Sequence, residues 1–468
     1  MTQWPVGREF TVQFRMTVPS YLESGRYTLQ WDDTYISIAN EDITDGKFIS
    51  FKLVNEVKNE ETVAEIVTEN GAPTLKVNGE PVSFFAYSRP DYNQFNWDHE
   101  AAMSKAGMEV YTVRQGGLGK NSLDFCWPAD GVVDFDAFDK PIYETLSNNP
   151  DAFLNVQVGM YAPSWWFETH PEDRVLVSHA DGSFTNFAES QTFASETFMK
   201  EAGEVLRQLM EHMKTQSYYS RIVGINLCSE KSFENMYWGA KTTDYAPDYS
   251  KPAIQKFRAW LREEYGTVEA LRAAWNDATV TFDTAQPPTF AECGQMGAAG
   301  GFVDVETQKR VLDHNLFLNN VVTERLLYWG NIINEVHNNN IVLGCFNGYL
   351  FSAGSYMDIG AQHTSFYKLL QSDTFSFFVS PANYSERLLG TADTYMGCQD
   401  AVQAYGQIPI DVNGWNVQML SASSHKFYGP KGCGFLYMKQ GLRTESMIHG
   451  GSQESGRRAG TENVPGIV

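Results

Sequence analysis

From about residue 72 onward, short apolar runs alternate with amphipathic stretches, and this alternation constrains the fold more than any other feature of the chain. The apolar runs lie at 84–88, 108–113, 153–158, 223–228, 341–346 and 375–379. Between them, three- and four-residue apolar spacing predicts helices around 96–106, 136–147, 192–214, 252–264, 304–337 and 364–371. The 252–264 stretch begins with Ser250 and Pro252, carries Ile254, Phe257 and Leu261 on one face, and stops at Gly266. The 304–337 stretch repeats Leu318, Val322, Leu326, Trp329, Ile333 and Val336. Apolar strands joined through helices imply a parallel sheet covered on both faces, an α/β architecture. The Gly-rich phosphate turn of a doubly wound nucleotide-binding sheet is missing, so the expected form is a (β/α)8 TIM barrel. It is incomplete, because two strands are still lacking when residue 396 is reached.

Residues 1–71 alternate with a period of two instead. Phe10-Thr-Val-Gln-Phe-Arg-Met-Thr-Val18 and Gly25-Arg-Tyr-Thr-Leu-Gln-Trp31 read as strands of a small N-terminal β-sandwich. Leu75-Lys-Val-Asn-Gly79 predicts a hairpin, Asn-Gly being the preferred pair for a tight primed turn. Charge excludes two classes of partner. With 57 Asp and Glu against 35 Lys and Arg, the net −22 disfavours both nucleic-acid phosphates and anionic lipid. Residues 397–468 carry six basic against five acidic groups, so the deficit falls almost wholly before residue 397. No run of eighteen apolar residues offers a membrane span. The N-terminus lacks a basic stretch followed by an apolar one, and the six cysteines are scattered without a CxxC pair. Together these predict free thiols in the cytoplasm, with no metal site.

In a barrel the reacting groups sit at the C-terminal ends of the strands. The third strand runs into Tyr161-Ala-Pro-Ser-Trp-Trp-Phe, where Trp165 and Trp166 are candidates either to stack on a pyranose or to pack the core. The fourth runs into Ser229-Glu-Lys-Ser-Phe-Glu-Asn-Met-Tyr-Trp-Gly239. It places Glu230 and Glu234 beside Phe233, Tyr237 and Trp238. Aromatic neighbours raise a carboxyl pKa by desolvation, as a general acid needs, whereas a solvated loop Glu does no chemistry. Trp238 is a further candidate to contact substrate. The sixth strand ends in Ser380-Pro-Ala-Asn-Tyr-Ser-Glu-Arg387. Tyr384 and Arg387 there are candidates to bind a substrate hydroxyl or orient a carboxylate, or to form a structural ion pair.

Residues 72–396 resemble a family 42-type, β-galactosidase-like glycoside hydrolase. The resemblance rests on Leu75-Lys-Val-Asn-Gly-Glu-Pro-Val82, Ala162-Pro-Ser-Trp-Trp166, and Phe257-Arg-Ala-Trp-Leu-Arg-Glu-Glu-Tyr-Gly-Thr267. Leu271-Arg-Ala-Ala-Trp275 and the Ser380–Arg387 piece complete it. It implies a carbohydrate partner, a β-galactoside or related oligosaccharide, and retaining hydrolysis by two glutamates without a cofactor. The family's acid/base glutamate usually follows an Asn; here Ser229 precedes Glu230, and the alternative ending of the motif points to Glu234. The resemblance puts the nucleophile at the end of a seventh strand, due soon after Tyr395.

Beyond Tyr395 the chain resembles a different family, the pyridoxal-phosphate-dependent cysteine desulfurases of the class V aminotransferase group. The matching residues are Asp400-Ala-Val-Gln-Ala-Tyr-Gly-Gln-Ile-Pro-Ile-Asp411, Met419-Leu-Ser-Ala-Ser-Ser-His-Lys-Phe-Tyr-Gly-Pro-Lys-Gly-Cys-Gly434, and Ile448 to Val468. The resemblance implies pyridoxal 5'-phosphate, with Lys426 as the Schiff-base lysine and Asp400 on the pyridine nitrogen. It implies Gln403 on the ring hydroxyl, Ser423 and His425 on the phosphate, and Thr461 on a partner subunit's phosphate. Residues 397–468 are then a fragment of the large domain of a fold-type I enzyme. Such a slice buries too little surface to fold alone.

Three regions are therefore expected: a partial sandwich over 1–71, a barrel without its last two native strands over 72–396, and a desulfurase-like fragment over 397–468. The join has no Gly/Ser/Pro-rich linker, which is the mark of a chimera of two truncated frames. The primary expectation is a β-galactosidase-type hydrolase that is inactive for want of a nucleophile. The alternatives are a pyridoxal-phosphate desulfurase and a non-catalytic carbohydrate-binding protein. The apolar runs 417–420 and 434–437 are further expected to fill the two vacant barrel positions, because an open sheet exposes unpaired backbone.

Overall fold

The computed structural model describes residues 25–31, 36–39, 48–53, 62–69, 72–83, 86–88, 97–115, 122–229, 235, 245–293, 305–347, 363–379, 419–423 and 434–440. The first three strands, β1 (Gly25–Trp31), β2 (Ile36–Ala39) and β3 (Phe48–Leu53), form an antiparallel sheet in the order β2-β1-β3. A second antiparallel sheet contains β4 (Ala64–Glu69), β5 (Ala72–Val77) and β6 (Glu80–Val82). Its β5–β6 turn is the expected Asn78-Gly79, with φ of 53° and 85°. Positive φ at both central residues is what a primed turn requires.

The central sheet is parallel and six-stranded. Its members are β7 (Ala86–Ser88), β8 (Val110–Arg114), β9 (Phe153–Gly159), β12 (Ile222–Cys228), β14 (Val342–Phe346) and β15 (Phe377–Val379). They lie side by side in chain order, as consecutive staves of a barrel do. Every residue of β12 and of β14 is buried, as strands covered on both faces must be. Each stave falls within two residues of an apolar run in the sequence.

The helices are α1 (Trp97–Lys105), α2 (Ser122–Cys126), α3 (Phe135–Asn148), α4 (Ser164–Thr169), α5 (Glu196–Thr215), α6 (Lys251–Tyr265), α7 (Val268–Trp275), α8 (Lys309–His337) and α9 (Phe366–Gln371). Helix α5 begins at Glu196 because the Ser195 hydroxyl accepts from the Phe198 amide at 3.0 Å and caps it. Ser250 caps α6, which ends at Gly266 with φ 67°. In α8 the periodic residues Leu318, Val322, Leu326, Trp329 and Ile333 are buried, and Trp329 Nε1 donates to the Met199 carbonyl of α5 at 2.9 Å. None of the helices among the described residues is long and apolar enough to cross a membrane.

Two arrangements differ from the sequence expectation. The β4-β5-β6 sheet straddles residue 71, and its buried face packs on the barrel. Ala64, Leu75 and Val77 form one cluster with Val110, Val223 and Val342, which stand near the N-terminal ends of β8, β12 and β14. The Ala64 amide donates to the Asn340 carbonyl at 2.8 Å, and the Thr62 hydroxyl to the Ser220 carbonyl at 2.7 Å. This sheet covers the bottom of the partial barrel. Secondly, β16 (Met419–Ser423) and β17 (Gly434–Met438) pair antiparallel with each other, in register from Met419↔Met438 to Ser423↔Gly434. They form a two-stranded sheet separate from the six-stranded one, so they do not take the seventh and eighth barrel places. A strand followed by a ten-residue connection satisfies its backbone most readily with its own neighbour.

An unexpected hairpin lies between the third and fourth staves. β10 (Arg174–His179) and β11 (Phe184–Gln191) turn through Asp181-Gly182, and β13 (Tyr245–Ala246) joins the free side of β10. Gly182 has φ 81°.

Candidate active site

The barrel mouth is built from the residues at and just past the ends of β8, β9, β12 and β14. The ladder continues beyond the strands: Gln115 N donates to Gln157 O (3.1 Å), Met160 N to Cys228 O (2.8 Å), and Asn347 N to Val379 O (3.0 Å). Below the mouth the barrel lining is polar. Asn155 and Gln157 alternate with apolar residues along β9, and Asn226 pairs in register with Gln157. Two glycines leave space on the same face of the sheet. A Cβ at Gly224 would meet Asn155 Oδ1 at 3.1 Å, and one at Gly344 would strike the Phe377 ring.

Gln157 Nε2 donates to Cys228 Sγ at 3.3 Å. The oxygens Asn155 Oδ1, Gln157 Oε1 and Asn226 Oδ1 accept no hydrogen bond from the protein, although all three are buried. Ser229 Oγ and both side-chain polar atoms of Asn347 are in the same condition at the strand ends. Native structures rarely bury polar atoms in this state except where water or ligand meets them. The floor of the mouth is therefore a set of amide and hydroxyl groups suited to a polyhydroxylated molecule.

The segment carrying the two candidate acids is held at both ends. Ser229 and Asn235 are fully buried. Asn235 Nδ2 donates to Leu227 O (3.2 Å) and Phe346 O (2.7 Å), tying the segment to the ends of β12 and β14. The Asn235 carbonyl bonds His363 Nε2 at 2.7 Å. Burial pushes the His363 pKa down to about 4, against the pull of that bond, so its ring is neutral near pH 7 and Nε2–H donates. Glu230 follows Ser229 and Glu234 precedes Asn235; both glutamates lie outside the described residues.

Pro163 starts α4 immediately after β9, and the two tryptophans on it part ways. Trp165 is partly exposed, edge-on to Trp127 at 5.0 Å, with Nε1 donating to the Trp127 carbonyl at 2.7 Å. Trp166 has no exposed surface. Its Nε1 donates to Glu201 at 2.8 Å, and its ring stacks on His170 at 4.3 Å. Trp166 is thus a core residue, which corrects the expectation that it faces a sugar: no face of the ring is left for one.

Trp238, Tyr384, Arg387, Asp400, Gln403, His425, Lys426 and Thr461 lie outside the described residues. Ser423 is the last residue of β16, and nothing described stands beside it as a second cofactor-binding candidate. All but one of the residues that would hold pyridoxal phosphate thus lie outside the described ones, and no chemical step is assigned to it. No seventh parallel strand occurs among the described residues. Sequence reasoning missed Asn155, Gln157, Asn226 and Asn235. The first three had a readable signal, amides at alternate positions of otherwise apolar strands; Asn235 had none.

Comparison with known proteins assigns these parts. Residues 91–368, more than half of the chain, match the glycoside hydrolase family 42 model, described as beta-galactosidase. Residues 390–468 match the aminotransferase class-V model. Over 69 residues this part is 61% identical to the cysteine desulfurase IscS of Methanosarcina thermophila, covering 15% of this chain and 17% of that protein. A second IscS, from Clostridium botulinum, is 59% identical over the same length. Among solved structures, the beta-galactosidase from Bacillus circulans sp. alkalophilus aligns with a TM-score of 0.45 and 17% identity, over 64% of this chain and 40% of that one. The catalytic domain of the beta-amylase from Paenibacillus polymyxa aligns with a TM-score of 0.50 and 14% identity, over 71% of this chain and 83% of that one, a likeness of fold alone. The chain thus spans well under half the length of the galactosidases and about a sixth of the desulfurases it matches. It joins two unrelated signatures, and by the larger of them it belongs to glycoside hydrolase family 42, the beta-galactosidase family.

Proposed function

We propose that this protein is a β-galactosidase-type barrel that binds galactosides at its strand ends and hydrolyses them weakly or not at all. The observation that carries the reading is the mouth itself. Buried amide oxygens line its floor, and the 229–235 segment is anchored at both ends where an acid/base glutamate belongs. Glu234 is the preferred acid and Glu230 the alternative; Trp165 and Trp238 would flank the sugar, with Tyr384 and Arg387 nearby. Retaining hydrolysis needs a second carboxylate roughly 5 Å from the first to attack the anomeric carbon. Where the family resemblance would put the seventh strand that bears it, residues 390–468 match the aminotransferase class-V model instead. With an acid but no nucleophile, the leaving oxygen can be protonated while the anomeric carbon is left without an attacking group.

The division that accompanies this reading is 1–71, 72–396 and 397–468, with β4 of the first region paired to β5 of the second, in a cytoplasmic protein. The described cysteines Cys126, Cys228, Cys293 and Cys345 are free thiols, in keeping with a reducing compartment. The test is turnover of an aryl β-galactoside by the full chain, beside titration of galactose followed by tryptophan fluorescence. Binding without turnover is the expected result. Steady turnover abolished in Glu234→Gln would overturn the inactivity while establishing that residue as the acid. Absence of both would remove the reading.

A further inference from the structure

A cleft of about 480 Å³ opens between the β10–β11 hairpin and the first turns of α6. That volume lies within the range of roughly 300–1,000 Å³ typical of small-molecule sites. The hairpin follows the third stave and α6 follows the fourth, so the cleft is made from the same two connections that carry Trp165 and the candidate acids. It belongs to the rim of the mouth, not to its floor.

Charge sets the cleft apart. Arg174, Lys251 and Arg258 line it together with a single acid, Glu172. Lys251 already pairs with Glu172, its Nζ 3.1 Å from Oε1. The two guanidinium groups have no carboxylate partner among the described residues. Arg258 uses Nε alone, donating to the Ala285 carbonyl at 2.8 Å. Arg174 sits with its guanidinium carbon 5.2 Å from the centre of the Phe167 ring, and its Nε is buried without a hydrogen bond. In a chain of net charge −22, two uncompensated guanidinium groups facing one hollow are a local inversion of sign. Their planar forks match a carboxylate better than any neutral group. Around them stand the side-chain amides of Asn186, Gln255 and Gln286, which bond hydroxyls, against Leu176 and Ile254.

We propose that this cleft is a binding site for an acidic saccharide, a sugar unit bearing a carboxylate, lying beside the mouth. The sugar half of this assignment rests on the hydrolase reading; the preference for negative charge does not. Calorimetric titration of the full chain with a galacturonic acid disaccharide, a neutral galactose disaccharide and sodium sulfate tests it. The expected result is that the acidic disaccharide binds at least about tenfold more tightly than the neutral one, a preference of about 1.4 kcal/mol. Gln255 is exposed on α6, so Gln255→Glu adds a negative charge to the cleft without unpacking the core. It should weaken the acidic disaccharide about tenfold more than it weakens the neutral one. The double variant Arg174→Gln/Arg258→Gln should abolish the preference while its circular dichroism stays native. Equal binding of the two disaccharides, indifference to Gln255→Glu, or sulfate binding as tightly as the acidic disaccharide would each overturn the proposal. A failure of the hydrolase reading registers separately, as loss of galactose binding and of turnover at the mouth.

Discussion

Trp165 and Trp166 are neighbours in the chain and opposites in environment. On a short helix, adjacent positions point about 100° apart, so one face meets Trp127 and the other meets Glu201, His170 and Phe198. Those partners lie up to 38 residues away along the chain, which is why residue type alone left both roles open. Trp166→Ala should destabilise the fold by about 3–5 kcal/mol, read as a fall in urea midpoint. Trp165→Ala should leave the midpoint near the parent value and weaken galactose binding instead. His314 gives a second case. It packs among Phe257 and Phe317 with Nε2 unbonded, and burial pushes its pKa down to about 3. Its folded-state pKa lies below the unfolded value, so the unfolded chain takes up the proton first as pH falls. The stability it contributes is whole above about 6.5 and is lost between there and about 3. His314→Leu should flatten the fall in stability across that window by up to about 1.4 kcal/mol per pH unit, without a loss at pH 7. Urea titrations at pH 7, 6 and 5 measure the slope.

The elements were readable where a single physical pressure governed them. Staves buried on both faces must be mostly apolar, and surface helices must repeat every three or four residues, so both wrote themselves into the sequence. The β10–β11 hairpin was missed because it interrupts a strand–helix step with residues such as Thr185 and Asn186 that serve no core. The β4-β5-β6 sheet was assigned partly to a sandwich because alternation says that one face is buried, not what covers it. The same limit explains β16 and β17: an apolar strand announces a partner without naming it. Glycine gives a sharper test. Gly344→Ala would drive a methyl into the Phe377 ring on the neighbouring stave, and should cost about 1–3 kcal/mol by overpacking. Thermal unfolding of the variant checks this. The equivalent change at exposed Gln255 should be nearly silent.

At the scale of the whole molecule, two family signatures share one chain, and its net −22 falls almost wholly before residue 397. The candidate site was legible as a location, since the chemistry of a barrel sits at known strand ends, but its floor of amides was not. Because the class-V-like part covers about a sixth of the desulfurase it matches, we expect added pyridoxal phosphate to give no visible absorbance band that Lys426→Ala removes; such a band would restore the desulfurase reading. The sheet that covers the barrel bottom has a consequence in time. Ala64 bonds to Asn340, so the segment that covers the barrel is made early while its seat on β14 arrives late. At the usual rate of about 5–20 residues per second, roughly tens of seconds of synthesis separate the two. Throughout that interval the apolar face of Ala64, Leu75 and Val77 waits on the ribosome for a surface that does not yet exist, and it is there that a chaperone would have something to hold.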